Sequence, residues 1–283
     1  MGILHKGLKL MKFSVLMSIY HKEKPEYFNR AMQSIWNEQT VKPSEIVLVQ
    51  DGKLTEELYR LVDEWKNKLG DILKIIPLEQ NVGLGNALNI GLKECRCDLV
   101  ARMDTDDICM PDRFEKQISF FQNNDVDIIG SYCIEIDENN NKGNVRKMPL
   151  THKDIYDNLF TCPLIHPIVM FKKSIIEKVG GYDKTLTRRQ DYDLWFKCAK
   201  AGTIFANIDE PLILYRFTND THKKQNLNLM LSQAKIGFKG VRLLRQSYWK
   251  ALACYVPVIR SLLPNKIQHL VYKVLKKFDP RQK

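Results

Sequence analysis

Short apolar runs and amphipathic stretches alternate along the first hundred residues. Phe13 to Tyr20 reads as a buried strand, and Pro25 then opens a helix whose apolar positions, Phe28, Ala31, Met32, Ile35 and Trp36, recur at helical spacing. Glu45 to Val49 forms a second strand that closes in the turn Gln50-Asp51-Gly52. Thr55 caps a helix burying Leu58, Leu61, Val62, Trp65 and Leu69, and Gly70 ends it. Ile72 to Pro77 is a third strand, and Asn81-Val82-Gly83-Leu84-Gly85-Asn86 is a glycine-containing turn into a short helix. A fourth strand follows at Leu99. This β-α-β-α alternation predicts an α/β fold with a doubly wound, mostly parallel sheet.

After Gly130 the pattern changes to a hairpin around Asp137 to Gly143 and mixed elements up to about Phe217. Within this part Asp191 to Ala201 reads as a helix burying Leu194, Trp195 and Cys198, which puts Asp191 in its first turn. From Lys235 to Tyr255, helical spacing gathers Val241, Leu244, Tyr248, Leu252 and Tyr255 on one face and Lys235, Lys239, Arg242 and Lys250 on another. Asn265 can cap a further helix of the same kind, with Ile267, Leu270, Val271, Val274, Leu275 and Phe278 on one side.

Charge changes this picture. The chain carries a formal net charge of +11, and residues 226–283 alone account for it, with 12 Lys plus Arg against the single acid Asp279. The basic character therefore belongs to an extension and not to the body. A basic extension calls for an anionic partner, and its amphipathic helices suit an anionic membrane surface. Charge alone would also permit nucleic acid, but no recognised binding motif supports it, and no nucleic-acid partner is expected. The same apolar faces also suit packing on the body or on another copy of the chain. No apolar run reaches the roughly 20 residues that span a bilayer. The seven cysteines are odd in number and contain no Cys-x-x-Cys pair, which fits reduced thiols in a cytoplasm. Met1 to Leu10 lacks the apolar core of a secretion signal, and Met11 is a plausible native start.

The chemistry concentrates in residues 98–114, where a strand delivers Asp104, Asp106 and Asp107 to its carboxyl end. In open α/β sheets ligands bind outside the strand carboxyl ends. Clustered carboxylates there suit Mg²⁺ or Mn²⁺, which take oxygen ligands and leave positions for substrate phosphates. An acidic turn capping a helix from Pro111 is the plainer alternative.

Taken in order, Ser18-Ile19-Tyr20, Val49-Gln50-Asp51-Gly52, Asn81-Val82-Gly83, Ala101-Arg102-Met103-Asp104-Thr105-Asp106-Asp107, Gly180-Gly181-Tyr182-Asp183 and Gln190-Asp191-Tyr192-Asp193-Leu194-Trp195 resemble the family-2 glycosyltransferases of GT-A fold. The likeness runs over about residues 12–220 and is nearest to the bacterial enzymes of O-antigen, capsule and exopolysaccharide assembly, including the amylovoran type. It implies a glycosyltransferase domain over 12–225, with a nucleotide-sugar half at 12–110, an acceptor half at 111–225 and a basic helical extension at 226–283. It implies that Tyr20, Asp51, Asn81 and Asp104 surround the donor nucleotide, that Asp106, with Asp107, holds Mn²⁺ or Mg²⁺, and that Asp191 is the general base of an inverting reaction, with Asp193 second in line. Arg102 faces the pyrophosphate or pairs with a neighbouring acid. A tyrosine at a strand end also suits the core, Asp-Gly also makes a turn, and an acid in a first helical turn also caps it. His166 and Arg216 lie on segments that border the cleft. Gln190 stands where the family usually has an acid, and Thr218 where it often has a histidine, with His222 four residues on. The implied activity is transfer of a hexose, glucose or galactose, from a UDP-sugar to an undecaprenyl-diphosphate-linked glycan by a cytoplasmic enzyme peripheral to the cell membrane. A nucleotidyltransferase or a non-catalytic glycan- or membrane-binding module are the rival readings. Oligomeric state is not read from the sequence.

Overall fold

The computed structural model describes residues 11–217 and 227–262. Its elements are β1 (Phe13–Ile19), α1 (Pro25–Trp36), β2 (Glu45–Gln50), α2 (Glu56–Leu69), β3 (Leu73–Pro77), α3 (Leu84–Glu94), β4 (Leu99–Arg102), β5 (Ile108–Cys109), α4 (Arg113–Asn123), β6 (Ile128–Ile136), β7 (Lys142–Arg146), α5 (His152–Asp157), β8 (Met170–Lys172), α6 (Lys173–Lys178), α7 (Gln190–Lys200), β9 (Phe205–Arg216), α8 (Leu227–Leu243), α9 (Tyr248–Ala253) and α10 (Val256–Ser261). The sheet runs β3-β2-β1-β4-β8-β6-β9-β5, with β7 hydrogen-bonded to β6.

The first four strands are parallel, with Ser14 opposite Glu45, Phe13 opposite Leu99 and Ile46 opposite Leu73. Each returns through a helix, as parallel pairing requires. Beyond β4 the sheet is mixed: β8 runs antiparallel to both β4 and β6, β9 is parallel to β6, and β5 is antiparallel to β9. The expected hairpin joins β6 to β7 around residues 137–141. Parallel order thus holds in the amino-terminal half.

Alternation along β1 explains the layers. Val15 and Met17 point into an apolar layer shared with α1, α2 and α4, through Phe28, Leu58 and Phe114. Leu16 points into the opposite layer with α3 and α7, through Leu88, Leu92, Tyr192 and Trp195. Burial on both faces is why these strands read as continuous apolar runs.

The stretch from Lys235 to Tyr255 forms two helices, broken where Arg245 adopts φ +55°. Its apolar positions consequently divide. Val241 is fully buried against the body, whereas Tyr248 and Leu252 are exposed. α8 lies directly on α7 because Gly237 and Gly240 leave room for Tyr192 and Phe196; a Cβ at Gly240 would overlap the Phe196 ring. The further helix expected from Asn265 lies outside the described residues, as do Met1 to Leu10, Thr218 and His222.

Candidate functional site

At the carboxyl end of β4, oxygens of Asp104, Asp106 and Asp107 all lie within 4.8 Å of one another. Asp107 is buried; one of its oxygens accepts the Arg216 backbone N–H at 2.7 Å, and its Oδ2 is buried with no hydrogen-bond partner. Burial, with the charge of Asp104, pushes the Asp106 carboxyl up to about 6, against the lowering effect of Arg216 and Arg102. Burial and the charges of Asp106 and Asp104 push Asp107 well above the carboxylate range. Such a cluster is short of positive charge, and its all-oxygen donor set with one orphaned buried oxygen fits a hard divalent cation. The acids face one another and do not cap α4, whose first residue is Arg113.

Of the two readings left open for Arg102, the ion pair is the one observed. Its side chain is fully buried, pairs with Asp104 and donates to the Met103 carbonyl. Arg113, also fully buried, donates from α4 to the Arg102 carbonyl at 2.7 Å and so pins the end of β4 from behind. Arg216 was legible only as a residue near the cleft, yet it organises the acid loop. Besides its backbone bond to Asp107, its side chain donates to the carbonyls of Asp106 at 2.7 Å and Asp137 at 2.7 Å and to Asn140 Oδ1 at 2.6 Å. Its guanidinium lies 3.9 Å over the Tyr27 ring.

At the carboxyl end of β2, on the other side of β1, Asp51 is buried and accepts from the Val82 N–H at 2.7 Å, the Gly83 N–H at 3.1 Å and Asn81 Nδ2 at 3.0 Å. Asp51 and Asn81 therefore hold each other and shape the turn into α3. Gly52 has φ +85° beside them, and a Cβ there would meet the Asn81 backbone nitrogen. Tyr20, half-buried at the end of β1, has its hydroxyl pushed upward by burial and then by Glu23 and Asp106, while Arg188 opposes. It thus lies within electrostatic reach of Asp106 and of Arg188 in the loop that precedes α7.

Asp191 occupies the first turn of α7, after Arg189 in the left-handed region at φ 63°. Burial raises its carboxyl, and Asp104 adds to the rise while Arg189 opposes it. The acid therefore lies within electrostatic reach of the β4 cluster. Asp193, on the same helix, is paired with Lys197 at 2.8 Å. Gln190 is buried and packs beside Gly85 of α3. The loop before α7 is pinned to α3 by Asn89, which donates to the Tyr182 carbonyl and accepts its N–H, each at 2.8 Å. His166 shares a 2.8 Å hydrogen bond with the Tyr182 hydroxyl, and burial with the nearby Arg102 charge holds its ring well below the usual imidazole range. It is a neutral partner of Tyr182. Sequence reasoning missed Arg113 and Asn89; the signal for Arg113 was a cation one helical turn before Gln117, on the same helix face.

Residues 14–180 match the family described as glycosyl transferase family 2. The chain is 36% identical over 265 residues to the amylovoran biosynthesis glycosyltransferase AmsE of Erwinia amylovora, covering 92% of this chain and 98% of that one. It is 37% identical over 272 residues to the UDP-Gal:alpha-D-GlcNAc-diphosphoundecaprenol beta-1,3-galactosyltransferase of Escherichia coli, covering 94% and 98%. Among solved structures, S. aureus TarS 1-349 in complex with UDP is similar at a TM-score of 0.65 and 18% identity, covering 88% of this chain and 71% of that one. The mannosyltransferase PcManGT from Pyrobaculum calidifontis, in complex with GDP-Man and Mn2+, gives 0.59 at 15% identity, covering 97% and 83%. These two similarities concern the fold alone.

Proposed function

This chain belongs to glycosyl transferase family 2, and from that premise we propose that it is an inverting, divalent-metal-dependent hexosyltransferase acting on a lipid-linked glycan in the synthesis of a bacterial surface polysaccharide. The donor is a UDP-hexose, with galactose favoured by the 37% identity, over almost the whole chain, to a UDP-Gal-dependent transferase. The acceptor is a sugar on undecaprenyl diphosphate. The observation that carries the reading is the under-neutralised cluster Asp104, Asp106 and Asp107, with its buried unpartnered oxygen, at the carboxyl end of the parallel sheet half.

Asp106 and Asp107 hold Mn²⁺ or Mg²⁺, which as a Lewis acid supplies neutralisation of the diphosphate that departs. Tyr20, Asp51, Asn81 and Asp104 line the nucleotide side, Asp51 by keeping the Asn81 turn in shape. Asp191 removes the acceptor hydroxyl proton as that oxygen bonds to the donor anomeric carbon. The bond from that carbon to the diphosphate breaks, and UDP leaves with the electron pair. A carboxylate raised by burial is a stronger base than a free one, and attack opposite the leaving group inverts the anomeric centre. Arg102 keeps Asp104 oriented from beneath. The enzyme works at the cytoplasmic face of the membrane as a peripheral protein, drawn to anionic lipid by the net positive charge of its basic extension.

The test is incubation of the protein and Mn²⁺ with UDP-galactose, UDP-glucose or a GDP-sugar and a short-chain GlcNAc-diphosphate lipid, read by mass spectrometry. One added hexose with release of UDP, lost in chelator, supports the reading. Pyrophosphate release, or turnover undiminished by chelator, sinks it.

A further inference from the structure

Residues 227–262 contain six Lys or Arg and no Asp or Glu. The three helices they form divide cleanly into an inner and an outer face. On the inner face Ala234, Gly237, Gly240, Val241, Ala251 and Val258 are buried. Backbone bonds from Tyr255 N–H to Leu252 and from Ile259 N–H to Tyr255 carry the helical path across the junction of α9 and α10. Tyr248, Leu252, Tyr255, Ile259 and Leu262 consequently fall on one stripe, four and three residues apart in turn.

Tyr248, Leu252, Ile259 and Leu262 of that stripe are each more than half exposed, as is the adjacent Trp249. The stripe is braced: the rings of Tyr248 and Tyr255 meet Phe238 of α8 edge-on at 6.0 and 6.1 Å, and the Arg242 guanidinium lies 5.5 Å over Tyr248. Exposed Lys235, Lys239, Arg242 and Arg245 flank it. A contiguous apolar surface of this kind marks a partner or a membrane. Charge decides between them. The surround is mainly cationic, with Asp157 paired to Lys250 as the acid beside it; with tyrosine and tryptophan at the apolar edge it suits the headgroup layer of an anionic leaflet, where each basic side chain strengthens binding by about fivefold. No helix among the described residues is long and apolar enough to cross a membrane, so the contact is a docking edge and not a span.

We propose that the outer face of α9 and α10 is the surface by which this protein docks on anionic lipid, inserting Trp249, Leu252, Ile259 and Leu262 at headgroup depth. The inference rests on the lipid-linked acceptor reading and adds its geometry. α8 packs on α7, the helix whose first turn carries Asp191, through Gly237 and Gly240, and Cys254 at the junction of α9 and α10 lies 4.0 Å from the Tyr192 hydroxyl of α7. Docking there holds a membrane-borne acceptor on the side of the protein where α9 and α10 pack against the helix that carries the base.

Trp249 provides the probe, since Trp65 and Trp195 are buried, Trp36 is half-buried and only Trp249 of the four is exposed. The full chain is titrated with phosphatidylglycerol or phosphatidylcholine vesicles, and the emission of Trp249→Phe is subtracted to isolate this residue. The expected result is solvent-like emission in buffer, a blue shift with phosphatidylglycerol that weakens in high salt, and little change with phosphatidylcholine. A Leu252→Ser/Ile259→Ser variant should bind anionic vesicles about tenfold or more weakly. Its transfer to a vesicle-embedded acceptor should fall in parallel, with transfer to a short-chain, water-soluble acceptor kept. Unchanged vesicle binding by this variant overturns the proposal. So does blue emission before any lipid is added, which would mean that a second copy or residues 263–283 cover the face. Failure of the transferase reading has a different signature: the lipid-induced shift persists while neither acceptor is modified.

Discussion

Two strands of the parallel half, β2 and β4 on either side of β1, each end in carboxylate, and the structure treats them oppositely. At β2, Asp51 accepts three hydrogen bonds from the turn that faces it and is saturated by the protein itself. At β4, Asp104, Asp106 and Asp107 crowd together, two of their carboxyls are raised, and one buried oxygen has no partner. A satisfied carboxylate shapes the site; an unsatisfied group of them recruits what the protein lacks. Strand-end acids thus divide by what surrounds them, not by residue type.

The comparison breaks first at β4. Asp106→Ala should lower Mn²⁺-dependent transfer by about 10³-fold, because several kcal/mol of charge neutralisation on the leaving diphosphate go with the ion. Near-normal turnover of this variant would show that the cluster is structural after all. Asp191→Asn keeps size and much hydrogen bonding while removing basicity, so transfer should fall by about 10² to 10⁴. Nucleotide affinity measured by calorimetry on the same preparation should be unchanged. Full activity would shift the role of base to Asp193, despite its pairing with Lys197.

Arg216 sharpens the comparison from outside the cluster. Arg216→Gln leaves the backbone bond to Asp107 but removes the guanidinium bonds to the Asp106 and Asp137 carbonyls and to Asn140. Losing such support behind metal ligands typically weakens metal affinity by about 10- to 100-fold. Mn²⁺ affinity is measurable by paramagnetic resonance without turnover, and an unchanged value would reduce Arg216 to a fastener for the residue 137–141 turn.

That role also shows what the sequence could and could not reveal. The strands and helices of the amino-terminal half were legible because burial on both faces makes β1 and β2 mostly apolar, while α1 and α2 repeat at 3.6 residues. The acid cluster was legible because its members are contiguous. Arg216 touches Asp106 and Asp107 across 110 and 109 positions, and Asp51 meets Gly83 across 32, so neither partnership leaves a local pattern. The same holds for the break at Arg245. Helical spacing of apolar residues continues through it, and only packing of α8 on α7 decides which of them face inward.

One substitution, made at both strand ends, should change stability in opposite directions. Asp51→Asn exchanges an acceptor for an N–H that confronts the donors of Val82, Gly83 and Asn81, and an unsatisfied buried group of this kind costs about 1–3 kcal/mol. Asp106→Asn instead removes a carboxyl whose folded value of about 6 lies above its unfolded one. For such a group the folded state binds protons more tightly, so wild-type stability falls as pH rises from about 4 to 6, and the penalty is fully present above that. In chelator at pH 8 the Asp106→Asn variant should therefore be more stable than wild type by about 1–3 kcal/mol, with the gain vanishing near pH 4. Excess Mn²⁺ should reverse the order, since binding to the folded state alone stabilises it. Denaturant titrations at pH 4, 6 and 8, with and without metal, check both signs. Destabilisation by Asp106→Asn in chelator at pH 8 would mean that the cluster, like Asp51, is already satisfied by the protein.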